Sequence, residues 1–154
     1  MTDDEARFVD EMGQYLGGYK FVPMSGRLWA WLLICDPPEQ TAADLAEALR
    51  ASRGAISGAV AFLSAAGMIR RIRRRGARRE FFSAPPGTFN SVLRTVGSAY
   101  GRLVEITADG LGAIAERPAA AQARLLEVHD AASFLQHDFS ALVETYLRNR
   151  EVPA

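Results

Sequence analysis

The chain has 154 residues, 49% of them hydrophobic, and its 18 basic and 18 acidic side chains cancel, which fits one globular domain or a small domain with an appended helical part. A single cysteine, Cys35, excludes an internal disulfide and a multi-cysteine zinc site, and the longest apolar run, Leu28 to Cys35, is too short to span a bilayer. The acidic, amphipathic start, MTDDEARFVDE, lacks the basic head and apolar middle of a signal peptide, so a cytoplasmic protein without a membrane partner is expected.

Phe8, Met12, Tyr15 and Tyr19 recur at helical spacing and predict an amphipathic helix, capped by Thr2 or Asp3 and closed near Gly17 and Gly18. Pro23 suits the first turn of a second helix, PMSGRLWAWLLICD, whose apolar character nearly all round predicts burial. DPPEQT ends it, and Thr41 with Asp44 three residues on occupies the positions of a capping box. Two short helical segments follow, TAADLAEALRA and SRGAISGAVAFLSAAG, with Ser52 as cap and Gly67 as stop signal. Leu45, Ala46 and Leu49 form an inward stripe on the first, and Ile56, Ala59, Val60 and Leu63 on the second. Directly after them, MIRRIRRRGARREFF reads as a two-stranded β-hairpin with Gly76 at its tip and Phe81 and Phe82 on the return strand.

Beyond APPG the pattern is helical. Phe89, Leu93, Val96, Tyr100 and Leu103 step by threes and fours, with Gly97, Gly101, Gly110 and Gly112 marking close helix contacts or a bend near Asp109 and Gly110. After Arg117 and Pro118, a heptad seam runs through Leu125, Val128, Ala132, Leu135, Phe139, Leu142 and Tyr146. Leu126, Val143 and Leu147 widen that face beyond what one helix covers, so either a second copy or the N-terminal domain should bury the remainder.

Charge is unevenly placed. Residues 1–49 hold three basic and nine acidic side chains, whereas Arg50 to Arg79 hold nine basic and no acidic ones, seven of them between Arg70 and Arg79. A local positive field of this kind attracts polyanions whatever the net charge, and nucleic acid is the leading candidate. In a helix-turn-helix the second helix enters the major groove, and once its apolar stripe is assigned inward the outward positions are Ser52, Arg53, Gly54, Ser57, Gly58 and Ala61. Arg53 can donate two bonds to guanine, and the glycines let the backbone come near DNA. The hairpin would act as a wing, laying Arg73, Arg74, Arg75, Arg78 and Arg79 along phosphates or placing one of them in a minor groove. Arg50, Arg70 and Arg71 lie nearer the body, and one or more of them would pair with acids such as Asp44 or Glu47.

The stretch LAEALRASRGAISGAVAFLSAAGMIRRIRRRGARREFFSA, with its lead-in CDPPEQTAADLAEAL, resembles the winged helix-turn-helix of the MarR superfamily, and within it a GbsR-like branch. The resemblance covers residues 23–84, and the helical flanks by architecture. It implies bacterial transcriptional regulators that bind double-stranded DNA as homodimers through their terminal helices, often with a small-molecule effector between the two parts. By that likeness Ser52, Arg53, Gly54 and Ser57 fall on the recognition helix, and Gly76, Arg78 and Arg79 on the wing. Arg50 stands where many such proteins turn through glycine, and Gly58 where many carry a basic residue.

The expected fold is therefore mainly α: a winged helix-turn-helix with a two-stranded wing plus long N- and C-terminal dimerisation helices. Residues 1–22 would contribute to dimerisation through Phe8 and Met12, residues 23–84 would bind DNA, and residues 85–154 would dimerise through Leu125, Val128, Leu135, Phe139, Leu142 and Tyr146. The expected function is a dimeric transcriptional regulator, most simply a repressor on a palindromic operator. The other reading is a winged-helix module gripping an acidic protein or RNA. No nucleophile motif, phosphate loop or metal spacing points to an enzyme or a cofactor. His129 and His137, eight apart, read as helical surface residues. Trp29, Trp31, Tyr100 and Phe134 read as core rather than as an effector pocket, and Cys35 as inert rather than as a redox switch.

Overall fold

The computed structural model describes residues 1–19, 21–74 and 79–151. They form α1 (Asp3–Gly17), α2 (Pro23–Ile34), β1 (Gln40–Thr41), α3 (Ala42–Ala48), α4 (Arg53–Ala65), β2 (Arg70–Arg73), β3 (Glu80–Ser83), α5 (Phe89–Ala113) and α6 (Ala119–Glu151). Mainly helical with a small antiparallel sheet, this is a winged-helix fold. The chain divides into two compact units, Met1–Ser91 and Val92–Ala154.

In the first unit, the Thr2 hydroxyl accepts from the Glu5 N–H and the Glu5 carboxylate accepts from the Thr2 N–H, so this capping box satisfies two of the donors at the start of α1. α1 crosses α2 glycine on glycine: a Cβ on Gly26 would stand 2.9 Å from Gly13 Cα and 3.0 Å from the Met12 carbonyl oxygen. Pro23 opens α2, as its fixed φ and missing N–H allow. The core beneath is made by Leu28 of α2, Leu45 and Leu49 at α3, Ile56 and Leu63 of α4, and Met68, each at most 1% exposed. Burying side chains of this size stabilises by roughly 1.5–3 kcal/mol each.

Thr41 caps α3 as predicted. Its hydroxyl accepts from the Asp44 N–H at 3.3 Å, and the Asp44 carboxylate accepts from the Thr41 N–H at 2.8 Å. The turn into α4 passes through Arg50 at φ 49°, a left-handed conformation that glycine adopts without cost. Ser52 caps α4, accepting from the Ala55 N–H at 3.2 Å, and Gly67 at φ 69° ends it.

The wing differs from the expected two-stranded hairpin. β1 joins it to give an antiparallel sheet in the order β1-β3-β2, with Gln40 opposite Phe82, Thr41 opposite Phe81, and Arg73 opposite Glu80. A two-residue strand carries too little alternation to be read locally, and its partner lies 40 residues further along the chain.

The second unit is an antiparallel pair. Gly97 faces Phe139, Gly101 faces Gln136 and Gly110 faces Leu125, each with too little space for a large side chain. α5 runs unbroken past Asp109, so these glycines mark close contacts rather than a bend; Gly112 faces open space. The Gln122 side-chain amide donates to the Ala115 and Arg117 carbonyls and closes the turn. Along α6 the seam splits: Ala132 is buried, whereas Val128, Leu135 and Leu142 are 46%, 43% and 68% exposed.

Candidate nucleic-acid interface

The buried stripe of α4, Ile56, Ala59, Val60 and Leu63, leaves Ser52, Arg53, Gly54, Ser57, Gly58 and Ala61 exposed on the opposite side. A Cβ at Gly58 would meet nothing within 4 Å, and one at Gly54 only the Ser52 Oγ at 4.0 Å. Folding therefore does not require glycine at either position. The first turn of α4 contains no acidic residue, so the positive end of the helix dipole stays uncompensated, with Arg53 beside it.

The described arginines of the wing are arranged by acids that the local sequence does not suggest. Arg73 Nε donates to Glu80 Oε1 at 2.8 Å, and an Arg71 guanidinium nitrogen stands 3.7 Å from Glu80 Oε2. Arg71 also donates to Ser64 Oγ at 3.1 Å and lies over the Phe82 ring at 5.9 Å. Arg74 donates to Glu39 at 2.6 Å and stacks on Phe81 at 4.9 Å. The expected partners Asp44 and Glu47 are not used by Arg71. Asp44 is committed to Thr41, whose N–H and hydroxyl, with a smaller contribution from nearby Arg79, hold its carboxyl below the ordinary carboxylate range. Cross-strand register put Glu80 within reach of Arg71 instead. Arg79 is exposed; Arg75, Gly76 and Arg78 lie outside the described residues.

These pairs are weak restraints. Arg73 and Arg74 are 83% and 60% exposed in their side chains, and pairs so open to water contribute about 0–1 kcal/mol. A phosphate can therefore replace the carboxylate with little loss. Between α4 and the sheet lies a groove of about 470 Å³, where Arg53 and Ser57 meet Arg71, Glu80 and Phe82 over a floor that includes Ala42 and Ala43.

Elsewhere, Phe8 and Met12 on α1 are half-buried, as are Leu125 and Phe139 on α6, while Tyr146 is 40% exposed. Trp29 is buried and stacked on Phe89, but Phe134 is 65% exposed, which corrects its reading as core. Trp29 and Trp31 each keep a buried indole N–H without an acceptor among the described residues. Burial pushes the Cys35 thiol up from its ordinary pKa, which leaves little thiolate to react. His129 Nδ1 lies 2.9 Å from the buried Thr107 hydroxyl, tying α6 to α5. No group of three or more metal-ligating side chains occurs among the described residues, and no helix there is long and apolar enough to cross a membrane.

Comparison with known proteins places the chain among transcriptional regulators. The family model for MmpR5-like MarR family transcriptional regulators matches residues 87–149. The HTH-type transcriptional regulator MmpR5 of Mycobacterium tuberculosis is 34% identical over 143 residues, a match covering 93% of this chain and 87% of that protein. The crystal structure of a transcriptional regulator superposes with a TM-score of 0.80 at 33% identity, covering 94% of this chain and 99% of the other.

Proposed function

The chain belongs to the MmpR5-like group of the MarR family of transcriptional regulators, and from that premise we propose that it is a repressor that binds a palindromic operator as a homodimer. The observation that carries this reading is the exposed, acid-free face of α4 beside the arginine wing. In the proposed complex α4 lies in the major groove, with Arg53 reading a base edge and Ser52, Gly54, Ser57 and Gly58 giving close fit. Arg73, Arg74, Arg75, Arg78 and Arg79 are proposed to hold the flanking phosphates or enter the minor groove, and Gly76 is assigned to the same wing contact.

Dimerisation is assigned to α1 through Phe8 and Met12 and to α6 through Leu125, Val128, Leu135, Phe139, Leu142 and Tyr146. The exposed stripe Val128, Leu135 and Leu142 supports it, because apolar side chains at heptad spacing favour a second helix over water. A small-molecule effector is proposed as well. Its support is a groove of about 500 Å³ between α5 and α6, lined among others by Leu93, Gln136 and Phe139. The finer likeness to a GbsR-like branch rests on the basic wing and its aromatic pair, and a cytoplasmic location follows from the proposed target.

The test is selection of bound duplexes from a random library with the purified protein. An enriched palindrome supports the reading, and Arg53→Ala should then relax sequence preference, while Arg79→Ala weakens all duplexes and flattens the salt dependence. Equal binding to every duplex, or binding to RNA or an acidic protein alone, would return the wing to the role of a general polyanion grip.

A further inference from the structure

Glu80 is the one acidic residue between Glu47 and Glu105, in a stretch holding eleven arginines. It stands at the start of β3, directly opposite Arg73 in register, and its carboxylate reaches Arg73 at 2.8 Å and Arg71 at 3.7 Å. Its side chain is 26% exposed, against 42% for Arg71 and 83% for Arg73. With Arg71 it walls the same groove as Arg53 and Ser57 of α4. A carboxylate placed there faces whatever polyanion the arginines attract.

We infer that Glu80 is a specificity-determining residue, which tunes the DNA binding proposed above by suppressing non-cognate duplexes; the inference rests on that reading. Two effects combine. First, Arg71, Arg73 and Glu80 together carry a net charge of +1 rather than +2, so the purely electrostatic attraction that drives non-specific binding is reduced on this side of the groove. Second, the carboxylate and Ser64 orient the Arg71 guanidinium before DNA arrives, since Arg71, 42% exposed in its side chain, is held by both. Such preorganisation benefits only a complex in which α4 is seated, because a loosely docked duplex does not use the fixed geometry. Glu80 thus subtracts from every complex but returns part of the loss only to the cognate one.

The experiment compares wild-type protein, Glu80→Gln and Glu80→Asp. Each is titrated with the duplex most enriched from the random library and with a scrambled duplex of equal length, across a salt series. Gln keeps the shape and removes the charge; Asp keeps the charge. Glu80→Gln should bind the scrambled duplex more tightly than wild type and steepen the slope of log affinity against log salt by about 0.9, so that its advantage is about 3.5-fold larger at 50 mM than at 200 mM salt. Its preference for the selected duplex over the scrambled one should fall by roughly two- to tenfold, the cost of ordering one rotamer-rich side chain on binding. Glu80→Asp should keep the wild-type slope. An unchanged slope and preference in Glu80→Gln, a loss of affinity for both duplexes, or identical behaviour of the two variants would each overturn the role of Glu80. Wild-type protein that binds no duplex, or fails to prefer the selected one, would instead overturn the underlying DNA-binding reading and this inference with it.

Discussion

Gly58→Ala separates folding from recognition. Gly58 lies inside α4, exposed, and a Cβ there would meet nothing within 4 Å. No overpacking opposes the change, so the intrinsic gain of alanine over an interior helical glycine, about 0.8–1.0 kcal/mol, should appear almost undiminished. For a chain of this size that raises the melting temperature by roughly 2–4 °C, measurable by calorimetry or far-UV circular dichroism. DNA binding should move the other way. If the backbone of α4 approaches base edges at Gly58, a methyl group displaces the helix, and affinity for the selected duplex should fall about tenfold, equivalent to about 1.4 kcal/mol. Gly58→Gln, with a bulkier side chain on the same open face, should weaken binding further without unfolding the protein. The reasoning is refuted if either variant melts below wild type, since the space would then not be open. It is also refuted if both bind the selected duplex with wild-type affinity, since that face of α4 would then not meet DNA.

Other outcomes follow from the same geometry. Arg50→Gly replaces a left-handed non-glycine residue, so its urea midpoint should rise by the equivalent of about 0.5–1 kcal/mol; a lower midpoint would mean that the Arg50 side chain contributes more than the strain costs. Thr41→Ala should cost about 1 kcal/mol by removing the cap of α3. Asp44 has a lowered pKa in the folded state, so its contribution is present above the unfolded value near 4 and is lost as pH falls through the folded one; Asp44→Asn should therefore melt below wild type at pH 7, with a deficit that closes in acid. Leu135→Asp combined with Leu142→Asp should convert the proposed dimer to a helical monomer in sedimentation analysis, whereas a persistent dimer would exclude the exposed stripe of α6 as the interface.

Local chemistry made much of this legible in the sequence. Ile56, Ala59, Val60 and Leu63 turned out buried and Ser52, Arg53, Gly54, Ser57 and Gly58 exposed because a helix of fixed period leaves no other choice once one face is apolar. The caps at Thr2, Thr41 and Ser52 each depend on a partner three residues away, well within a local reading. What escaped depends on distant chain. Strand β1 exists only because β3 lies beside it, and the partners of Arg71 and Arg74 are set by strand register and by Glu39, 35 residues from Arg74. Likewise, the seam on α6 gives its centre correctly, but the glycines of α5 decide which half of it is covered.

Thr41 belongs to two elements at once. Its backbone pairs with Phe81 in the sheet, while its N–H and hydroxyl engage Asp44 at the start of α3. A displacement of the wing relative to the helices would therefore pull on the first turn of α3 and break its cap, so the two parts resist moving separately. The sheet is consequently tied to the first turn of α3 through a single residue, and in the proposed complex a duplex would have to satisfy the arginines of β2 and the exposed face of α4 together.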